Sequence, residues 1–204
     1  MSKSCLIISG GEFSKVKLSN KYDLIIACDK GYTYAKKLNL KPDIVVGDFD
    51  SSKMPKDFVS VIAVSPEKDD TDTGLAIKYA LRNGFKEIDI ICALGKRIDH
   101  TLANISLLKF IAEKKAKAKI LFSNGELFIA NKGALNIKQR KDCYLSIFSL
   151  TDKSRIAYIK GAKYNVKNIV LKNSFPLGIS NEFKNKIVSV KIETGVLLIC
   201  IIKG

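Results

Sequence analysis

Three acidic clusters in the first half of the chain have spacings that could do chemistry. Asp48 and Asp50 stand one residue apart, directly after the apolar run Ile44-Val45-Val46-Gly47. In extended backbone, side chains two apart point the same way, so both carboxylates can reach one point. Adjacent carboxylates repel each other, and a divalent cation relieves that repulsion. A solvated acidic turn has the same composition, so this segment alone leaves both readings open. The second cluster is Asp69-Asp70-Thr71-Asp72, at the head of a helical pattern. A cap by Thr71 or Asp72 accounts for one acid there but not for three in four residues. The third, Arg97-Ile98-Asp99-His100, opens another helical pattern. Clustered acids with Arg97 and Lys68, beside a glycine turn at Gly10-Gly11, fit a magnesium–polyphosphate site. Magnesium takes one or two carboxylates plus phosphate oxygens and water, while Arg and Lys take the remaining phosphate charge. The reaction class is then phosphoryl-type transfer, with no acceptor named.

The elements that must position these residues follow from apolar patterning. Residues 5–9, 24–27, 44–46, 59–64, 88–93 and 119–122 read as strands. Helical patterns lie between them. One runs over about Tyr32–Leu38. A second has Leu75, Ala76, Tyr79 and Ala80 on one side and Gly84 as its stop. A third carries Leu102, Ile105, Leu108 and Ile111/Ala112, with Glu113–Lys117 as a basic last turn. Strand–helix alternation predicts a mostly parallel six-stranded sheet with helices on both faces. Gly10-Gly11, Asp29, Asp48/Asp50, Asp69–Asp72 and Arg97/Asp99 all follow the carboxyl end of a strand, the edge where open α/β sheets bind ligands. Neither G-x-G-x-x-G nor the P-loop pattern is present. After Asn124-Gly125 the pattern changes to short alternating segments separated by turn signals, without an evident helix. These predict two domains: an α/β domain over 1–124 and a smaller all-β sandwich over 125–204.

Composition narrows the class. The 204 residues carry a net charge of +15, with 21 Lys/Arg against 15 Asp/Glu in residues 1–122 and 14 against 5 in residues 123–204. The excess is spread over both halves and is nearly all lysine, without the Arg–aromatic interleaving of nucleic-acid grooves. It favours a lysine-rich surface that attracts phosphate-bearing small molecules over a nucleic-acid partner. No apolar run approaches the roughly 20 residues of a membrane span. The amino terminus does not read as a signal peptide, so a cytoplasmic protein is expected. Cysteines 5, 28, 92, 143 and 200 have no metal-site or disulfide spacing and read as small core residues.

Four motifs, in order, resemble those of the thiamine pyrophosphokinase family: Gly47-Asp48-Phe49-Asp50-Ser51, Asp70-Thr71-Asp72-Thr73, Arg97-Ile98-Asp99-His100-Thr101-Leu102-Ala103-Asn104 and Gly178-Ile179-Ser180-Asn181-Glu182-Phe183. The resemblance covers both domains. It implies transfer of a diphosphate from ATP to the thiamine hydroxyl, giving thiamine diphosphate and AMP, by a homodimer with its site between protomers. It also implies that Asp48, Asp50 and Asp72 hold Mg²⁺, and that Arg97 and Asp99 sit beside the phosphates. Gly10, Gly11, Asp29, Lys68 and Thr71 would line the nucleotide side, while Ser180 and Asn181 would bond the aminopyrimidine. Lys30 and Lys96 depart from the family, standing where it often has glycine. With no tryptophan present, any ring stacking falls to Phe or Tyr, with Phe175 and Phe183 as candidates. His100, the sole histidine, reads either as a proton acceptor or as a structural residue at a helix start; a carboxylate or a phosphate oxygen could equally take the proton. Two other readings compete: a phosphohydrolase using Asp48 as nucleophile, and a basic nucleotide- or nucleic-acid-binding module.

Overall fold

A computed structural model describes residues 2–18, 21–47, 60–63 and 70–204. The chain divides into two compact units, Met1–Ser123 and Asn124–Gly204.

The first unit contains strands β1 (Ser4–Ile8), β2 (Leu24–Cys28), β3 (Ile44–Gly47), β4 (Val61–Ala63), β5 (Glu87–Ile91) and β6 (Lys117–Phe122). Helices α1 (Gly31–Lys37), α2 (Asp72–Arg82) and α3 (Ile98–Glu113) alternate with them. The strands lie in the order β6-β5-β1-β2-β3-β4, and all five neighbouring pairs are parallel. From β1 the chain builds the sheet outward through β2, β3 and β4, then returns to the other side of β1 for β5 and β6. The order therefore reverses between β1 and β5, the switch point at which such sheets hold ligands.

Right-handed crossovers put α1 on one face and α2 and α3 on the other; α2 and α3 also pack against each other. The central strands β1 and β3, and most of β2 and β5, are buried on both faces, which explains their near-continuous Ile, Val and Leu. Leu6, Ile8, Ile91 and Cys92 pack with Ala35 of α1.

The helices differ from the sequence expectation in which side they bury. In α2 the buried residues are Thr73, Gly74, Ala76, Ile77 and Ala80, while Leu75 and Tyr79 are only half-buried. In α3 the buried positions are Asn104, Leu108 and Ile111, and Leu102 is 59% exposed. The stripe thus begins at a polar residue, which apolar periodicity does not register. Nor does α3 end in a basic turn: it stops at Glu113, Lys114 caps it, and Lys115 turns left-handed at φ 56°. At the end of α2, Gly84 adopts φ 82° past the cap residue Asn83, the expected glycine stop.

The second unit packs two antiparallel sheets. One has the order β12 (Asn181–Glu182), β9 (Cys143–Ser149), β14 (Leu197–Lys203), β7 (Gly125–Ala130). The other runs β11 (Val166–Lys172), β10 (Lys153–Lys160), β13 (Ile187–Thr194), β8 (Gly133–Lys138). Alternate residues of both sheets enter one core, among them Leu145, Ile147, Leu197 and Ile199 against Ile156, Val188, Val190 and Ile192. The described residues include no helix here. The fold class is therefore a helix-covered, mostly parallel sheet plus a β sandwich. Four of the five free cysteines are buried; Cys143 is partly exposed.

Candidate active site

The turns after β1, β2 and β5 meet at the switch point of the first unit, and main-chain bonds hold those after β1 and β5 together. The N–H of Gly11 donates to the Cys92 carbonyl at 2.8 Å, and that of Glu12 to the Leu94 carbonyl at 2.7 Å. A Cβ on Gly11 would lie 2.6 Å from the first of these oxygens, and one on Gly95 would lie 2.7 Å from the Glu12 Cβ. Both positions therefore require glycine so that the turns after β1 and β5 can interlock. The glycine pair read from sequence as a ligand cradle is, at Gly11, first a packing contact between loops.

A cleft of about 660 Å³ opens above these turns. It is lined by residues 9–12 after β1, 28–30 after β2, 71–73 at the head of α2, and 93–97 with His100, Thr101 and Asn104 after β5. Of the residues expected at the site, Gly10, Gly11, Asp29, Thr71, Asp72 and Arg97 line this one cavity. Asp99 lies at its edge, paired with Arg97 through two hydrogen bonds. That bonding holds the Asp99 carboxyl below its usual range and raises Arg97. Asp48, Asp50 and Lys68 lie outside the described residues.

Each lining residue has a local reason for its position. Asp29 turns left-handed (φ 43°) immediately after β2, a conformation Asp tolerates better than most residues. Its backbone then sits beside Gly47, whose Cβ would come 3.4 Å from the Asp29 Cα. The last residue of β3, just before Asp48, is thereby placed next to Asp29. The Thr71 hydroxyl caps α2 by accepting from Gly74 N–H at 3.1 Å. That leaves the Asp72 carboxylate in the first helical turn, favoured by the dipole.

Two further contacts fix this helix end to the sheet. The buried hydroxyls of Ser9 and Thr73 are 2.6 Å apart, and the Cys28 thiol donates to the Asp72 carbonyl at 3.6 Å. Burial pushes the Cys28 thiol far up, so it stays protonated. On the opposite wall, Thr101 Oγ1 accepts from Gly95 N–H at 3.2 Å and Asn104 Nδ2 donates to the Ala93 carbonyl at 2.6 Å. Within the Arg97–Asn104 motif, then, Thr101 and Asn104 anchor the loop while Arg97 and His100 face the cavity. Sequence reasoning assigned no role to Ser9, Thr73 or these two anchors. Their signal was available only as polar residues inside apolar patterns.

In the second unit, Ser180 has φ 55° and its N–H donates to Ser146 Oγ at 3.0 Å. The Asn181 amide is largely used within the protein: Oδ1 accepts from Tyr164 N–H and Glu182 N–H, and Nδ2 donates to the Tyr164 carbonyl, each at 2.9 Å. With both oxygen lone pairs engaged, Asn181 has one N–H left to offer a ligand. Glu182 pairs with Lys163 at 2.6 Å.

Sequence comparison accounts for both units. Residues 16–122 match the family description "Thiamin pyrophosphokinase, catalytic domain", and residues 134–197 match "Thiamin pyrophosphokinase, vitamin B1 binding domain". The chain belongs to the thiamin pyrophosphokinase family. Thiamine pyrophosphokinase of Bacillus subtilis is 26% identical over 207 residues, covering 96% of this chain and 97% of that one. The crystal structure of thiamine pyrophosphokinase from Bacillus subtilis shares the fold, with a TM-score of 0.87 at 24% identity over 99% and 100% of the two chains. A thiamin pyrophosphokinase family protein from Enterococcus faecalis superposes with a TM-score of 0.83 at 25% identity over the whole of both chains. Membership makes this family chain a diphosphotransferase. No helix among the described residues is long and apolar enough to cross a membrane.

Proposed function

We propose that this enzyme transfers the diphosphate of ATP to the hydroxyl of thiamine, forming thiamine diphosphate and AMP. The observation that carries the reading is the ordered match of both units to the two domains of one family. In this reading the thiamine oxygen bonds to the β-phosphorus, the bond from that phosphorus to the bridging α–β oxygen breaks, and the hydroxyl proton passes to a carboxylate or a phosphate oxygen.

The cleft at the switch point is the nucleotide and phosphate site, with Gly10, Gly11, Asp29, Thr71 and Arg97 around the nucleotide. Its donors suit Mg²⁺: Asp29, Thr71 and Asp72 offer oxygen, and the neighbouring Cys28 thiol is held neutral by burial. Asp72 would hold the ion together with Asp48 and Asp50, which neighbour it in function by resemblance. Bound there, the ion would neutralise charge on the transferring phosphates. Arg97, held by Asp99 through its Nε and Nη2, keeps the Nη1 end of its guanidinium for the phosphate oxygens. Ser180 and the remaining Asn181 N–H would bond the aminopyrimidine. A cytoplasmic homodimer with the site shared between protomers is part of the same reading.

The test is product analysis. Thiamine- and Mg²⁺-dependent release of AMP from ATP is expected, with stoichiometric thiamine diphosphate. Release of ADP, or AMP formation that ignores thiamine, would refute it.

A further inference from the structure

We propose that Lys30 and Lys96 are two cationic arms that hold the phosphate chain of the nucleotide from either side of the glycine turn after β1. The proposal rests on the cleft being the nucleotide site.

Sheet order places β1 between β2 and β5. The turn after β1, Gly10-Gly11, is therefore flanked by the turn after β2 and the turn after β5. Lys30 belongs to the first and Lys96 to the second, and both line the cleft with exposed side chains. The Lys30 stem starts beside the glycine turn, 3.8 Å from where a Gly10 Cβ would stand. Lys96 follows Gly95, which is locked against Glu12 on the other side of that turn. Lys30 has ordinary helical backbone (φ −56°, ψ −22°), and Lys96 is not among the left-handed residues. Neither backbone position demands glycine, so each can carry a side chain into the cleft.

The charge around them supports the same role. Glu12, Asp29 and Asp72 line the cleft, and a polyphosphate entering it meets all three carboxylates. Arg97 is already paired with Asp99. Among the described residues, neither Lys30 nor Lys96 has a carboxylate within ion-pair distance. Two hydrated ammonium groups on flexible stems suit a phosphate chain, which offers charge on every oxygen rather than one fixed fork. Recognition of this kind works without a divalent ion.

The experiment measures binding of inorganic tripolyphosphate and of adenosine in EDTA, using the full chain, with Lys30→Gln, Lys96→Gln, the double variant and, as a control at the opposite edge of the same sheet, Lys117→Gln. Each single change is expected to weaken tripolyphosphate about tenfold, the order of one charge-assisted hydrogen bond. The double change should weaken it about a hundredfold, and adenosine should be unaffected. Lys30→Arg and Lys96→Arg should retain most of the affinity. Unchanged tripolyphosphate binding in both variants overturns the proposal. So does a parallel loss of adenosine, because the lysines would then be shaping the cleft rather than holding charge. A wild-type chain that makes AMP normally while the variants bind normally removes the arms and leaves the reaction standing. A chain that makes no AMP but loses tripolyphosphate on substitution removes the reaction and leaves the arms.

Discussion

Thr73→Val offers a direct measure of how the head of α2 is fixed to the sheet. Valine keeps the shape of threonine but deletes the hydroxyl 2.6 Å from Ser9 Oγ. Ser9 is only 3% exposed and Thr73 only 5%, so water cannot replace the lost partner. Leaving a buried hydroxyl unpaired costs about 1–3 kcal/mol. For a chain of this size each kcal/mol moves the midpoint by about 2–4 °C, so a drop of about 2–12 °C is expected. Ser9→Ala removes the other hydroxyl of the pair and should fall in the same range. In the double variant both partners are apolar, which is close to neutral in such pairs. The double variant should therefore be more stable than the sum of the two single losses implies, by about 1 kcal/mol or more. Thermal unfolding followed by far-ultraviolet circular dichroism at the helix band is the assay. All the helices of the described residues lie in the first unit, so the signal reports the unit being perturbed. Strict additivity of the two single changes would refute the bond.

Three other outcomes follow from the site. Asp50→Asn should abolish turnover while leaving the circular dichroism spectrum intact; retained activity would remove Asp50 from the proposed metal ligands. Asn181→Asp sets a carboxylate oxygen against the Tyr164 carbonyl in place of a donated N–H, and should raise KM for thiamine about tenfold or more while leaving KM for ATP nearly unchanged; equal changes in both would argue against a thiamine-side role. The Asp99 carboxyl is held low chiefly by its hydrogen bond to Arg97, so the pair's contribution is present above the unfolded carboxylate value, about 3.9. It is lost as pH falls through the lower folded value. Carbon-13 titration should place Asp99 below that reference, and Arg97→Gln should bring it up; an unchanged midpoint would show that Arg97 is not the cause.

Much of the architecture was legible in the residues. Apolar β-branched runs alternating with helical stripes mark a parallel sheet buried on both faces, and the change after Asn124 marks the sandwich. The common location of Gly10, Asp29, Asp72 and Arg97 also followed, because each lies just past a strand end and parallel strands bring those ends to one edge. What could not be read was strand order, which depends on a crossover from β4 to β5 spanning the sheet. Without it the switch point between β1 and β5 has no location. Buried polar anchors were also missed. Asn104 replaces Leu102 as the start of the buried stripe in α3 because its amide reaches a loop carbonyl, a partner that periodicity does not encode. The strand Asn181–Glu182, paired with Leu145 and Tyr144 of β9, is too short to show an alternating pattern.

The floor of the cleft is made from peptide groups: Gly11 N–H on Cys92, Glu12 N–H on Leu94, Thr101 and Asn104 on the backbone of Gly95 and Ala93. Its shape therefore depends on few side chains. Cys92 and Ala93 are packed in the core, Cys92 with left-handed backbone, so in this loop side-chain variation is open at Leu94 and Lys96, whereas Gly11 and Gly95 admit no side chain at all. A library that varies residues 94 and 96 while holding the two glycines would keep the frame and alter only its surface. Descendants of such a scaffold can exchange one phosphate-bearing substrate for another without rebuilding the loops that hold it.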